Sequence, residues 1–149
     1  STSCYLPKAN SLMRHKCQLQ IRWADLDAFK HINNAAYLVY MQEARADFTW
    51  FSRISKGEEP LLADMVVARA EVDFVSPIHD SGKPLDVEIF IEKIGNSSFV
   101  MVYEMYQAGT LRAKGKTVQV GVDMGTEKSR PLREVEREYL SKYLEGNNA

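Results

Sequence analysis

The sequence predicts an α+β protein in which a long central helix is wrapped by an antiparallel β-sheet and a further helix closes the chain. Three observations predict it. An uninterrupted apolar run from Ala35 to Met41 opens a segment of helical spacing, and several long segments alternate apolar with polar residues at a period of two. Turn residues join those segments directly, without intervening helices, which is the pattern of antiparallel strands and not of parallel βαβ units.

The elements follow in order. Cys17, Leu19, Ile21 and Trp23 alternate with Gln18, Gln20 and Arg22, so a first strand places its apolar row on one face. From Asn33 to about Ser52 the pattern becomes helical, roughly 30 Å at 1.5 Å per residue. A helix apolar all round at its start has no solvent face and must be enclosed. Val66, Ala68, Ala70, Val72 and Phe74 form one row of a half-buried strand that stops before Pro77.

After the turn residues Asp80 to Pro84, Leu85, Val87, Ile89 and Ile91 form the buried row of the next strand. Phe99 to Tyr106 is apolar on both faces apart from Glu104, as expected of a central strand or of one whose outer face meets a partner subunit. Gly109 and Thr110 turn into a strand over Leu111 to Met124, in which Val118, Val120 and Val122 are expected in the core. Behind Pro131, the spacing of Leu132, Val135, Tyr139 and Tyr143 predicts the terminal amphipathic helix.

The chain has 149 residues, 45% of them apolar and 26% charged. One domain over residues 1–149 is expected, with a core at about 17–124 and the C-terminal helix at about 131–145. A chain of this size hides about 68–70% of its unfolded surface and can stabilise a core without metals or disulfides. With 19 Lys plus Arg against 20 Asp plus Glu, the net charge of −1 argues against broad nucleic-acid or anionic-membrane binding. Cys4 and Cys17 make neither a disulfide framework nor a redox pair. No apolar run reaches the roughly 18 residues of a membrane span, and Ser1 to Lys16 lacks a signal-peptide core, so a soluble, cytoplasmic protein is expected.

The joint between the first strand and the helix, Arg22-Trp23-Ala24-Asp25-Leu26-Asp27 with His31-Ile32-Asn33-Asn34 and Tyr37, holds the densest group of polar residues beside an apolar element. Aspartates favour turns and Asn33 or Asn34 suits a helix N-cap, so structure alone accounts for part of it. The same loop also delivers a carboxylate to the positive end of a helix whose unpaired N–H groups can bind a carbonyl oxygen. An Asp near its reference pKa of about 3.9 is ionised there, which suits a nucleophile or general base in hydrolysis. No Gly-x-Ser-x-Gly elbow is present, and His15, His31 and His79 lack metal-ligand spacing, so no metal is expected.

Those residues resemble the signature of the hotdog-fold thioesterases, the 4-hydroxybenzoyl-CoA thioesterase family and its acyl-CoA relatives. Glu43-Ala44-Arg45, Phe74-Val75-Ser76-Pro77 and Gly95-Asn96-Ser97-Ser98-Phe99 also look like family features. The resemblance implies hydrolysis of an acyl-CoA to a carboxylic acid and free CoA, with Asp27 as the catalytic nucleophile or general base, Asp25 structural, and backbone N–H groups near Asn33 and Asn34 polarising the carbonyl. It implies substrate contacts at His31, Asn33, Asn34, Tyr37, Gly95, Ser97 and Ser98, no cofactor beyond the CoA of the substrate, and a homodimer or homotetramer with active sites between subunits.

Some alternatives stay open. His31 is either part of a catalytic set or a residue that fixes the loop, and Tyr37, Tyr40 and Met41 are either pocket lining or plain core. Lys30 stands where a Gly is usual, at a position where Gly permits φ > 0 more readily. Arg112, Lys114 and Lys116 share a strand face and are either a solvated edge or cations for CoA phosphates. An acyl-carrier-protein thioesterase and a non-catalytic acyl-CoA-binding hotdog protein are the alternative functions.

Overall fold

A computed structural model of the chain describes residues 13–79 and 82–145. Cys4 and the turn residues Asp80 and Ser81 lie outside them. The first strand, β1, spans His15–Leu19 and turns His15, Cys17 and Leu19 toward the core. It ends earlier than the alternation predicts. Asp25 donates its N–H to Arg22 O (3.0 Å) and closes a single 3-10 turn at Trp23–Asp25, which leaves Trp23 85% exposed instead of on the buried row.

The helix α1, Ala36–Ala46, continues through a wider π-type stretch at Asp47–Phe51 into α2, Ser52–Ser55. The rod is about 30 Å long, as its sequence predicts, but starts at Ala36, because Asn33 Oδ1 caps it by accepting the Ala36 N–H at 3.1 Å. Enclosure is only partial. Ala36, Tyr37, Tyr40, Met41, Ala44 and Phe48 are buried, whereas Leu38 and Val39 remain 48% and 43% exposed. One sheet covers one side of a rod, so the all-apolar start finds half its cover within the chain.

The remaining strands are β2 (Met65–Phe74), β3 (Leu85–Ile94), β4 (Ser98–Gln107) and β5 (Thr110–Gly121). They form one antiparallel sheet in the order β1-β3-β4-β5-β2. β4 lies at its centre, which explains the two apolar faces of that segment. β2 and β3, consecutive in sequence, are not neighbours: the chain crosses between them through the fully buried Ile78, whose carbonyl accepts the Ile32 N–H at 3.0 Å. β2 is an edge strand, and of its predicted buried row only Val72 is partly covered, with Val66 and Phe74 half exposed.

β5 departs most from its hydrophobic pattern. Ala113, Gly115, Thr117, Gln119 and Gly121 face the core, and Val118 and Val120 share the outer face with Arg112, Lys114 and Lys116. Pairing runs through Gly115 without a bulge. The cause is the helix: Met41 lies so close that a Cβ at Gly115 would meet its Sδ at 2.6 Å. Small residues let the rod settle on the strand, so the inward row is small or polar and the valines turn outward.

The last helix, α3, spans Glu134–Ser141 and is shorter than the predicted 131–145. Glu136 accepts the Arg133 N–H at 2.7 Å at its start. Leu132, Tyr139, Leu140 and Tyr143 are buried, Tyr139 stacking on Phe48 with ring centroids 4.9 Å apart, while Val135 is exposed. No helix among the described residues is long and apolar enough to cross a membrane.

Candidate active site

The loop between β1 and α1 is built by backbone bonds that leave one carboxylate outward. Asp27 N–H donates to His31 O (2.8 Å) and Lys30 N–H to Asp27 O (3.0 Å), a tight turn with Lys30 at φ 61°. The turn therefore takes the left-handed conformation that Gly would adopt freely, and Lys30 adopts it at a cost. Asp27 Oδ1 accepts the N–H groups of Phe29 (2.8 Å) and His31 (3.1 Å). Those two bonds, His31 first, hold the carboxyl below the usual carboxylate range, so it is ionised at neutral pH.

Asp25, two residues earlier, faces the other way. Its Oδ2 accepts from Arg22 Nε (2.8 Å) and Tyr40 Oη (2.9 Å), and Arg22 also pairs with Glu43. The Arg22 guanidinium lies over the Tyr40 ring at 4.9 Å. This network ties the loop to the helix. Tyr40 and Met41 are core residues by burial, and burial pushes the Tyr40 hydroxyl up.

A cavity of about 260 Å³ opens beside Asp27 and is walled by His31, Asn34, Tyr37, Phe74, Ser76 and Pro77, among others. Tyr37 is buried and meets Phe74 edge to face at 4.9 Å. The N–H groups of Asn34 and Ala35 donate to no acceptor among the described residues, and they stand just before the helix start. Asn33 is occupied structurally, its Nδ2 donating to Asp25 O (2.9 Å) while its Oδ1 caps Ala36. An ionised carboxylate thus lines one small cavity with Asn34 and Tyr37, beside the start of the helix, where free backbone N–H groups concentrate positive charge.

The structure brings Asp27, His31, Asn34 and Tyr37 together and sets Asn33 beneath them. It does not bring Gly95, Ser97 and Ser98 to them within one chain. That turn bonds to itself (Gly95 N–H to Ser98 O, 2.7 Å) and to α3 through Arg137, which donates to Gly95 O (2.8 Å). Ser98 begins β4, and Gln107 at its far end holds His79, whose ring lies 4.7 Å from that of His31. Ten residues at about 3.3 Å each therefore separate the two groups by roughly 30 Å.

Three positions near the site carried little sequence signal. Ser76 and Pro77 belong to the strand end that resembles the family, but nothing in their spacing places them on a cavity wall. Gln107 is a buried polar residue that accepts the His79 N–H (3.0 Å) and donates back to His79 O (2.7 Å). Of the three cations on β5, Lys114 and Lys116 pair with Glu104 (3.7 Å) and Glu92 (3.1 Å). Arg112 instead reaches Pro77 O (3.2 Å) and supports the cavity wall from behind.

Metal-ligating atoms of His15, Cys17 and Asp47 lie within 4.8 Å of one another, away from Asp27. There His15 Nε2 is hydrogen-bonded to Asp47 Oδ2 at 2.7 Å, and desolvation with nearby carboxylates pushes the Cys17 thiol up to about 12.

A long helix laid on a five-stranded antiparallel sheet is the hotdog fold of the thioesterase superfamily. The chain belongs to the thioesterase-like superfamily, whose profile matches residues 21–140. Among curated proteins none matches closely enough to count as a relative. A predicted thioesterase from Bacillus stearothermophilus superposes with a TM-score of 0.76 at 26% identity, covering 91% of this chain and 100% of that one. A Thermus thermophilus thioesterase solved with coenzyme A and zinc is 34% identical, with a TM-score of 0.68 over 84% of this chain and 90% of that one. A 1,4-dihydroxy-2-naphthoyl-CoA thioesterase from Synechocystis, at 23% identity and TM-score 0.70 over 87% and 96% of the two chains, shares the fold. The protein is a thioesterase.

Proposed function

We propose that the protein hydrolyses acyl-CoA thioesters, with Asp27 as the nucleophile or general base. The observation that carries this reading is the ionised Asp27 carboxylate in a cavity walled by Asn34, Tyr37 and Phe74 just before the start of α1. The coenzyme A held by the Thermus relative supports the thiol half of the substrate.

In one route the Asp27 carboxylate attacks the thioester carbon, the C–S bond breaks and CoA leaves as the thiolate; water then hydrolyses the acyl-carboxylate anhydride, restoring the Asp27 carboxylate, releasing the carboxylic acid and supplying the proton that the thiolate takes up. In the other, Asp27 takes a proton from water, hydroxide adds to the carbon, and collapse of the adduct expels the thiol. Both routes place negative charge on the carbonyl oxygen, which the N–H donors stabilise. Asn34 and Tyr37 contact the acyl group, and His31 holds the Asp27 turn through its own N–H.

The site is completed by a second copy in a homodimer or homotetramer. Phe74 and Val75 are exposed and wall the cavity, and Leu38 and Val39 are exposed on the helix that begins beside it. The Gly95, Ser97 and Ser98 turn, remote from Asp27 in its own chain, is available to the pantetheine or phosphates of a neighbour's substrate.

The experiment is Asp27→Asn assayed for thiol release across aromatic, short and long acyl-CoAs and the matching acyl-carrier-protein thioesters. Asn retains an oxygen for the Phe29 and His31 N–H groups, so folding is preserved while hydrolysis falls by about 10²–10⁴-fold. A folded Asp27→Asn variant of wild-type activity refutes the assignment, and a preference for the carrier-protein series moves the substrate to that class.

A further inference from the structure

Three different metal-ligating groups meet where β1 crosses the central helix. His15 and Cys17 lie two residues apart on β1, so the period of a strand turns both toward the rod, and Asp47 meets them from the first residue of the π-type stretch. Such stretches interrupt α-helices frequently at functional sites. An imidazole nitrogen, the Cys17 Sγ and a carboxylate oxygen lie within 4.8 Å of one another. The His15 ring is buried and packs edge-on to Phe48, with centroids 5.2 Å apart, whereas the Asp47 side chain is 32% exposed and leaves solvent a way in. Among the described residues no Lys or Arg pairs with Asp47. Asp47, Asp86 and Glu43 all act on the Cys17 sulfur, so a cation entering here meets negative charge.

The chemistry of the set is selective. Imidazole, thiol and carboxylate together suit zinc and its borderline neighbours, and not magnesium or calcium, which take oxygen ligands. Zinc bonds of about 2.0–2.3 Å at tetrahedral angles place ligand atoms roughly 3.3–3.8 Å apart. The set therefore closes on an ion by side-chain movements of about 1 Å, the His15–Asp47 contact opening from 2.7 Å while the widest separation contracts. On binding, the Cys17 thiol gives its proton to solvent, the His15 ring keeps its proton on the nitrogen turned away from the ion, and Asp47 binds through a carboxylate oxygen.

We propose that His15, Cys17 and Asp47 form a zinc site that fastens β1 to the central helix, with water as the fourth ligand. β1 is an edge strand of five residues with β3 as its one neighbour in the sheet, so a metal link to the helix ties it down where pairing is thinnest. None of the three ligands lines the Asp27 cavity, and the proposal stands independently of thioester hydrolysis. The histidine spacing that argued against a metal does not register this set, because its third member comes from a different element.

The test strips the full chain of metal with a chelator and titrates it with Co²⁺, Zn²⁺ and Mg²⁺. Cobalt should bind at one ion per chain with a thiolate-to-cobalt charge-transfer band, zinc should displace it, and magnesium should not. Cys17→Ser should abolish the band. Asp47→Asn, which keeps an acceptor for His15, should retain the band and weaken cobalt binding about tenfold or more. Cys4→Ser should leave band and affinity unchanged. Zinc in excess should raise the Tm of the wild type and not that of Cys17→Ser. If Cys17→Ser does not fold, the loss of affinity in Asp47→Asn and a zinc-induced NMR shift of the His15 ring, with His31 and His79 unmoved, decide the matter. Cobalt binding no tighter than about 0.1 mM, a band that survives Cys17→Ser or vanishes in Cys4→Ser, unchanged affinity in Asp47→Asn, or shifts centred on His31 and His79 would each overturn the proposal.

Discussion

Arg130→Met removes the centre of a charged cluster that fastens α3 to the sheet. Arg130 donates to both oxygens of Glu136 (3.0 and 3.0 Å), to both of Asp64 (2.6 and 3.2 Å) and to Pro131 O (2.9 Å). Glu136 is 1% exposed, so without the guanidinium its carboxylate keeps only the Arg133 N–H at 2.7 Å and a long contact to Arg133 Nη1 at 3.4 Å. Breaking a buried pair by removing one partner costs about 3–5 kcal/mol, because the remaining charge stays buried without its counter-ion.

For a domain of this size, that loss lowers Tm by roughly 6–20 °C at 2–4 °C per kcal/mol. Urea unfolding at fixed protein concentration reads it as a lower midpoint with an unchanged slope. Arg130→Met combined with Glu136→Leu removes both charges and should recover most of the loss, since apolar replacement of a whole buried pair is often neutral. A loss below about 1 kcal/mol for Arg130→Met, or a double variant no better than the single one, would refute the view that an uncompensated Glu136 carries the cost.

The role proposed for Asp27 requires an ionised carboxyl, and that carboxyl is held below its ordinary value by the His31 and Phe29 N–H groups. The acidic limb of kcat/KM should therefore fall below about pH 4, activity being lost as pH drops through the lowered pKa, and a limb above pH 5 would contradict the geometry. Lys30→Gly, at φ 61°, should raise stability by about 0.5–1 kcal/mol in thermal unfolding, with the left-handed strain relieved and part of the gain offset by chain entropy. Gly115→Val should cost about 1–3 kcal/mol by urea titration, because the new side chain enters the space of Met41, and a shortened partner in Met41→Ala should recover part of that loss.

Much of the site was readable in the sequence because its residues are consecutive. Asp27, His31, Asn34 and Tyr37 fall within one loop and one helical turn, and local backbone bonding alone brings them to a common cavity. Ser76, Pro77 and Gln107 come from other strands, and only the crossover through Ile78 and the order of the sheet place them nearby.

The sequence by itself determined the element types, the long helix and its length, and the acidic loop at the helix start. Each of these follows from side-chain periodicity or from contacts a few residues apart. The tertiary structure decided the rest: that β2 crosses to the far edge, that the helix is covered on one side only, and that Thr117 and Gln119 face inward while Val118 and Val120 do not. Hydrophobic alternation finds the two faces of a strand. Which face turns inward is fixed by what must fit against it, and at Gly115 that was the side chain of Met41.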